Sequence, residues 1–94
     1  MQIDRIIWLD DVVEKLERKH GVEKSEIWEL LQSNPKFRFV EKGHREGENV
    51  YAALGRTDAG RYMVVFFVYK TTNAALVISA RDMTRGERKR HEEK

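Results

Sequence analysis

Apolar and polar positions follow one another along the chain in three patterns. Ile3, Ile6, Ile7 and Trp8 form a short apolar opening that predicts a brief strand. Asp10 and Asp11 behind it supply an N-cap and first-turn negative charge for a helix. Val12, Val13, Leu16 and His20 then recur at helical spacing. Lys19 and His20 put positive charge in the last turn, where helix carbonyls point, and Gly21 suits the left-handed position that ends a helix, so the first helix runs to about His20. A second helix carries Ile27, Leu30 and Leu31 at i, i+3 and i+4, with Trp28 on its flank and Asn34-Pro35 as its stop.

From Phe37 the period changes to two. Residues 37–40 read as a strand, 41–49 as a polar loop with two glycines, and 50–54 as the next strand. After the turn 55–60, the run 62–69 is eight apolar or aromatic residues without a break, the pattern of a central strand covered on both faces. Residues 70–73 turn the chain and 74–80 return as another strand. Thr84 and Glu87 fit a capping box, so a final helix starts near Arg85. Its residues 88–94 offer no apolar stripe, and such a helix frays alone or is held by a partner. The pattern is that of one α+β domain, residues 1–94, with two N-terminal helices, an antiparallel sheet of about four strands and a polar C-terminal helix. Trp8, Trp28, Phe66 and Phe67 are assigned to its core.

Composition narrows the chemistry. A chain of 94 residues with 40% hydrophobic and 36% charged residues has room for one domain with a dense polar surface. The absence of cysteine excludes disulfides, thiolate metal sites and cysteine nucleophiles. His20, His44 and His91 lack metal-ligand spacing, so neither a metal nor a cofactor is expected. No apolar run approaches the ~20 residues a membrane-spanning helix needs, and no secretion-signal order opens the chain, which points to the cytoplasm and away from a membrane partner. The net charge of +2 conceals an asymmetry: residues 1–50 hold nine basic and eleven acidic residues, residues 51–94 nine basic and five acidic. An excess of that sign suits an anionic partner.

The basic residues also have a predicted meeting place. If 70–73 is a turn, Tyr69 pairs near Ala74 and Tyr62 comes beside Arg81, so Arg61 and Arg81 share one end of the sheet. The preceding hairpin adds Arg56 at that end, and the last helix adds Arg85 and Arg88. Guanidinium forks match phosphate oxygens, as binding or cleaving an RNA phosphodiester requires. The same arginines equally suit a solvated face, paired with Asp58, Asp82 and Glu87. His20 fits a helix-terminal imidazolium as well as a chemical role, His44 reads as loop surface, and His91 fits an acid or base as well as a tail residue.

Lys19-His20-Gly21-Val22, then Gly60-Arg61-Tyr62 opening an apolar strand, then Ile78-Ser79-Ala80-Arg81 followed by Thr84, Glu87 and Arg88, resemble in order and spacing the BrnT family. Its members are ribonuclease toxins of type II toxin-antitoxin systems with a RelE-like fold, and the resemblance covers about residues 7–91. It implies a metal-independent endoribonuclease that cleaves mRNA, stops translation and growth, and is neutralised by a cognate antitoxin. Operator DNA would be bound only by the toxin-antitoxin complex. Cleavage through the 2′-hydroxyl needs one proton taken, one given and charge stabilised on a phosphate. By position, the resemblance makes Arg61 and Arg81 the phosphate binders, Lys19 and His20 a supporting basic pair, and Glu87, Arg88 and His91 the contribution of the last helix. With the register argument, the expected catalytic set is Arg61, Arg81, His20, Glu87 and His91, and the expected RNA-binding set Lys19, Arg56, Arg85 and Arg88. Histidine at 91, where the family usually has tyrosine, and a loosely matched start define the alternative: a non-catalytic member that binds an antitoxin or nucleic acid.

Overall fold

The computed structural model describes residues 1–45 and 47–93. Strand β1 (Arg5–Ile7) leads into helix α1 (Asp10–Lys15), which continues as a π-helical turn (Leu16–His20), and helix α2 (Lys24–Gln32) follows. Strands β2 (Lys36–Glu41), β3 (Val50–Arg56), β4 (Tyr62–Tyr69) and β5 (Ala74–Asp82) precede helix α3 (Arg85–Glu92). The five strands form one sheet in the order β1-β5-β4-β3-β2. Neighbours among β2 to β5 are antiparallel, whereas β1 lies parallel to β5 with Arg5 opposite Ala74. The expected four-stranded antiparallel sheet is thus a five-stranded mixed one. The short apolar opening, Ile3, Ile6, Ile7 and Trp8, carries no periodicity that could name a partner strand so far along the chain.

Alternation along the strands divides the molecule into two sides. Met63, Val65 and Phe67 of β4, with Ala53, Val77 and Ala80, face α1, its π turn and α2, and meet Leu16, Val22, Ile27, Leu30 and Leu31 in the main core. Close approach of α2 requires small residues beneath it: a Cβ on Gly55 would stand 3.2 Å from both Leu30 Cγ and Pro35 Cβ. On the opposite side Ala52, Leu54 and Val64, with Phe66 and Met83, form a smaller cluster. As its unbroken apolar run predicts, β4 is the central strand, with Met63, Val64, Val65 and Phe67 all at 0% exposure.

Several local expectations shift. The N-cap of α1 is Leu9, which offers no side-chain oxygen, and Asp10 and Asp11 sit inside the first turn. Gly21 does end the π turn in the left-handed region, at φ 59°. Trp28 is 43% exposed rather than core, because α2 turns Ile27, Leu30 and Leu31 inward. Tyr69 pairs with Ala75, and a bulge between Phe66 and Phe67 adds a second offset, so Arg81 faces Val64 and not Tyr62. Among the described residues, no helix is long and apolar enough to cross a membrane.

Candidate active site

Arg61 and Arg81 stand at the same end of the sheet but leave it on opposite sides, which corrects the expectation of a shared patch. Arg81, opposite Val64, projects onto the side of Phe66, 5.5 Å from that ring's centre. Arg61 is directed toward the α1–α2 side, where it meets Glu26 and the carbonyls of His20 and Gly21.

A guanidinium has five N–H donors, and every one on Arg61 has an acceptor. Nε donates to Asp82 Oδ1 at 2.7 Å and Nη2 to Asp82 Oδ2 at 3.4 Å. Nη1 donates to the Gly21 carbonyl at 2.9 Å and to Glu26 Oε1 at 3.2 Å, and Nη2 to the His20 carbonyl at 2.9 Å. Hydrogen bonding to Asp82 foremost, then the charge of Asp82 and the contact with Glu26, holds this guanidinium above its ordinary range against the cost of burial. Arg61 therefore staples the end of the π turn to the end of β5, and it keeps no donor for a phosphodiester. The family-like Lys-His-Gly-Val and Gly-Arg-Tyr motifs meet here through backbone carbonyls. The side chains of Lys19 and His20 point to solvent.

Arg81 is committed in another way. Its Nη1 and Nη2 grip Glu87 Oε1 and Oε2 at 2.7 and 3.0 Å, a bidentate pair. Glu87, whose side chain is only 11% exposed, also accepts from the Thr84 amide at 2.9 Å, completing the capping box that starts α3. The hydrogen bond from Arg81 chiefly, with that from Thr84, holds its carboxyl at about 2. A carboxylate so weakly basic neither accepts nor donates a proton usefully near neutrality. Glu87 serves here to anchor α3.

The side of the sheet that carries α3 is where basic groups accumulate. Because Phe37 and Phe39 of β2 belong to the α2 side, Lys36 and Arg38 fall on the other, opposite Leu54 and Ala52. A cleft of about 190 Å³ opens between β2 and α3 with Lys36, Arg38, Leu54, Glu87, Arg90 and His91 in its wall. Lys36, Arg38, Arg56, Arg85 and Arg90 make no ion pair among the described residues. Beside the cleft stands Tyr62. Arg88 lies 4.2 Å and Arg56 5.4 Å from its ring centre, His91 meets it edge-on at 6.1 Å, and its hydroxyl donates to Glu92 Oε2 at 3.1 Å.

The structure thus brings Arg56, Arg81, Glu87, Arg88 and His91 together on the α3 side, with Arg85 in the first turn of α3. Arg61, Lys19 and His20 lie on the other side. Sequence reasoning missed Tyr62, Lys36, Arg38 and Arg90. The alternation of Lys36 and Arg38 with Phe37 and Phe39 was the available signal for two of them. Among the described residues no group of three or more histidine, aspartate or glutamate side chains could hold a metal ion.

This α+β fold, three helices with a five-stranded mixed sheet, has a counterpart among solved structures. The crystal structure of the Brucella abortus ribonuclease toxin, BrnT, superposes with a TM-score of 0.62 at 20% identity, covering 86% of this chain and 97% of that one. Among curated proteins, none matches the sequence. The family model described as the ribonuclease toxin BrnT of type II toxin-antitoxin systems matches residues 8–87, and the chain belongs to that family. The match ends at Glu87, so Arg88, Arg90 and His91 lie beyond it.

Proposed function

We propose that the protein is an endoribonuclease toxin that cleaves mRNA at the cleft between β2 and α3, without a metal or cofactor, and so stops translation and growth in the cytoplasm. The observation that carries this reading is the cleft itself, whose wall His91 shares with Lys36, Arg38 and Arg90, three cations in no ion pair among the described residues. In the reaction the 2′-oxygen of a ribose attacks the adjacent phosphorus, the bond from phosphorus to the 5′-oxygen breaks, and a 2′,3′-cyclic phosphate and a 5′-hydroxyl result. One proton leaves the 2′-hydroxyl and one joins the departing oxygen. His91 is assigned that proton traffic, and the cations offset charge on the phosphorane.

Roles assigned by family resemblance change accordingly. Arg81 and Glu87 fix the start of α3, Arg61 holds the π turn, and His20 and Lys19 remain candidates for contacts with RNA leaving the cleft or with an antitoxin. Membership in a type II family implies an antitoxin partner, and the reading has it neutralise the toxin by covering the basic side, the complex alone binding operator DNA.

Expression without the antitoxin tests this. Growth arrest with fragmented RNA, undiminished by EDTA in the purified reaction, is the expected result. His91→Ala should lower the cleavage rate by about a hundredfold, at the modest end of what positioned proton transfer contributes. If purified protein leaves RNA intact at every pH tried, the chain is instead a non-catalytic module that binds an antitoxin or nucleic acid.

A further inference from the structure

Four arginines crowd the end of the sheet where β4 begins, and their donors are used in two contrasting ways. Arg61 and Arg81 direct their N–H groups into carboxylates and carbonyls. Arg56 and Arg88 instead lie over the ring of Tyr62, their guanidinium carbons 5.4 and 4.2 Å from its centre. A contact of this kind rests on attraction between the cation and the ring's negative quadrupole and consumes no N–H donor. Among the described residues Glu92 is the one carboxylate ion-paired with either, 3.9 Å from Arg88 Nε and so beyond hydrogen-bond range, and it accepts from the Tyr62 hydroxyl at 3.1 Å. Arg56 is in no ion pair among the described residues, and its guanidinium lies close over the turn: a Cβ on Gly60, which sits at φ +93°, would come within 3.3 Å of Arg56 Nη2.

We infer that Tyr62 is a positioning residue that arrays Arg56 and Arg88 as a paired subsite for the RNA backbone beside the β2–α3 cleft, and that these two, not Arg61 and Arg81, grip phosphates. The inference rests on the ribonuclease reading for the identity of the ligand. It keeps Arg56 and Arg88 as RNA contacts, gives Tyr62 the task of arraying them, and moves the phosphate grip away from Arg61 and Arg81, whose donors are taken by carboxylates and carbonyls. Arg56 and Leu54 are two apart on β3 and share a side, with Lys36 opposite Leu54, so the subsite continues the wall of the cleft. A strand of RNA held by Lys36 and Arg38 in the cleft reaches Arg56 and Arg88 at its next phosphates.

The test separates binding from cleavage. Its probe is a fluorescein-labelled, 2′-O-methylated oligoribonucleotide, which lacks the attacking hydroxyl and reports affinity whether or not the protein is an enzyme. The readout is the slope of log affinity against log salt, which changes by ~0.7 for each phosphate contact with a single strand. The double variant Arg56→Gln, Arg88→Gln, both exposed side chains, should lose about 1.4 from that slope with its melting temperature retained. Tyr62→Leu should bind about fivefold more weakly, and Tyr62→Phe, which keeps the ring and loses only the hydroxyl, should restore binding, a recovery that a purely structural need for the Glu92 hydrogen bond would not give. Arg18→Gln, remote on the π turn, is the control.

An unchanged slope in the Arg56, Arg88 double variant overturns the inference, as does an equal slope loss in Arg61→Gln protein that remains folded. A wild type that binds with the expected slope but never cleaves defeats the ribonuclease reading and leaves the subsite standing. Failure of the probe to bind while an acidic antitoxin binds through the same two arginines overturns the RNA assignment in favour of a protein partner.

Discussion

Arginine number 61 illustrates how little a side chain's charge says about its task. Its five donors meet two carboxylates and two carbonyls, its side chain is 26% exposed, and its loss would strand the His20 and Gly21 carbonyls together with Glu26 and Asp82. Arg61→Ala should therefore destabilise the fold by about 2 kcal/mol in urea titration, the magnitude expected when one partner of a charged, partly buried network is removed. Arg61→Lys should recover little, since a single ammonium cannot reach acceptors spread around a planar fork. Glu87 yields a pH prediction whose sign is set by its depressed carboxyl. With a folded value of about 2 against an ordinary 4.5, the stability it contributes is complete above about 4.5 and is lost as pH falls through about 2. Acid titration of stability between those limits should be steep in the wild type and flatter in Glu87→Gln. Equal slopes would mean that Arg81 does not hold the carboxylate in solution.

Among the elements, α3 depends least on apolar burial. None of its residues is buried, and it is tied down by the Thr84–Glu87 capping box, the Arg81–Glu87 pair and the contacts around Tyr62. Polar ties of this kind open readily, so amides of α3 in the isolated protein should exchange with deuterium faster than those of β4, and binding of an antitoxin or RNA should slow them. Protection of α3 equal to that of β4 in the free protein would contradict this. Thr84→Ala removes the oxygen that accepts from the Glu87 amide at 3.1 Å, and should cost the helix about 1 kcal/mol, visible as faster exchange confined to α3. The π turn before Gly21 is held differently: Leu16 and Val22 are buried beside it, and Arg61 closes its carbonyl end. Substitution at Arg61 should therefore register in the main core and substitution at Thr84 should not.

At the scale of the whole molecule, the sheet separates a side packed on the main apolar core from a basic one. Its α1–α2 side holds the main apolar core and the Arg61 network, and its α3 side holds a thinner apolar cluster, the basic cleft and the Tyr62 stack. Substitutions on the two sides should thus separate: Arg61→Ala lowers melting temperature with the salt slope of RNA binding kept in the folded fraction, and changes at Arg56 and Arg88 do the reverse. Much of this architecture was legible in the amino-acid pattern. The amphipathic repeat of Ile27, Leu30 and Leu31, the unbroken β4 run, the Gly21 cap and the Thr84–Glu87 box are local matters of spacing and side-chain chemistry, and each forms as its pattern predicts. The ordered motifs likewise identify the family, which the match over residues 8–87 establishes. Even the separation of Arg61 from Arg81 was implicit, because any pairing that sets Tyr62 beside Arg81 turns Arg61 to the other side of a pleated strand.

What needed tertiary structure was every relation between distant stretches: the parallel docking of β1 on β5, the bulge that slides Arg81 to Val64, and the choice of partner for each arginine. Periodicity is a property of neighbouring residues and determines which elements form. Whether a guanidinium is consumed by carboxylates or left open on an aromatic ring depends on which side chains the completed sheet and α3 bring within about 4 Å of it, and short-range spacing does not encode that.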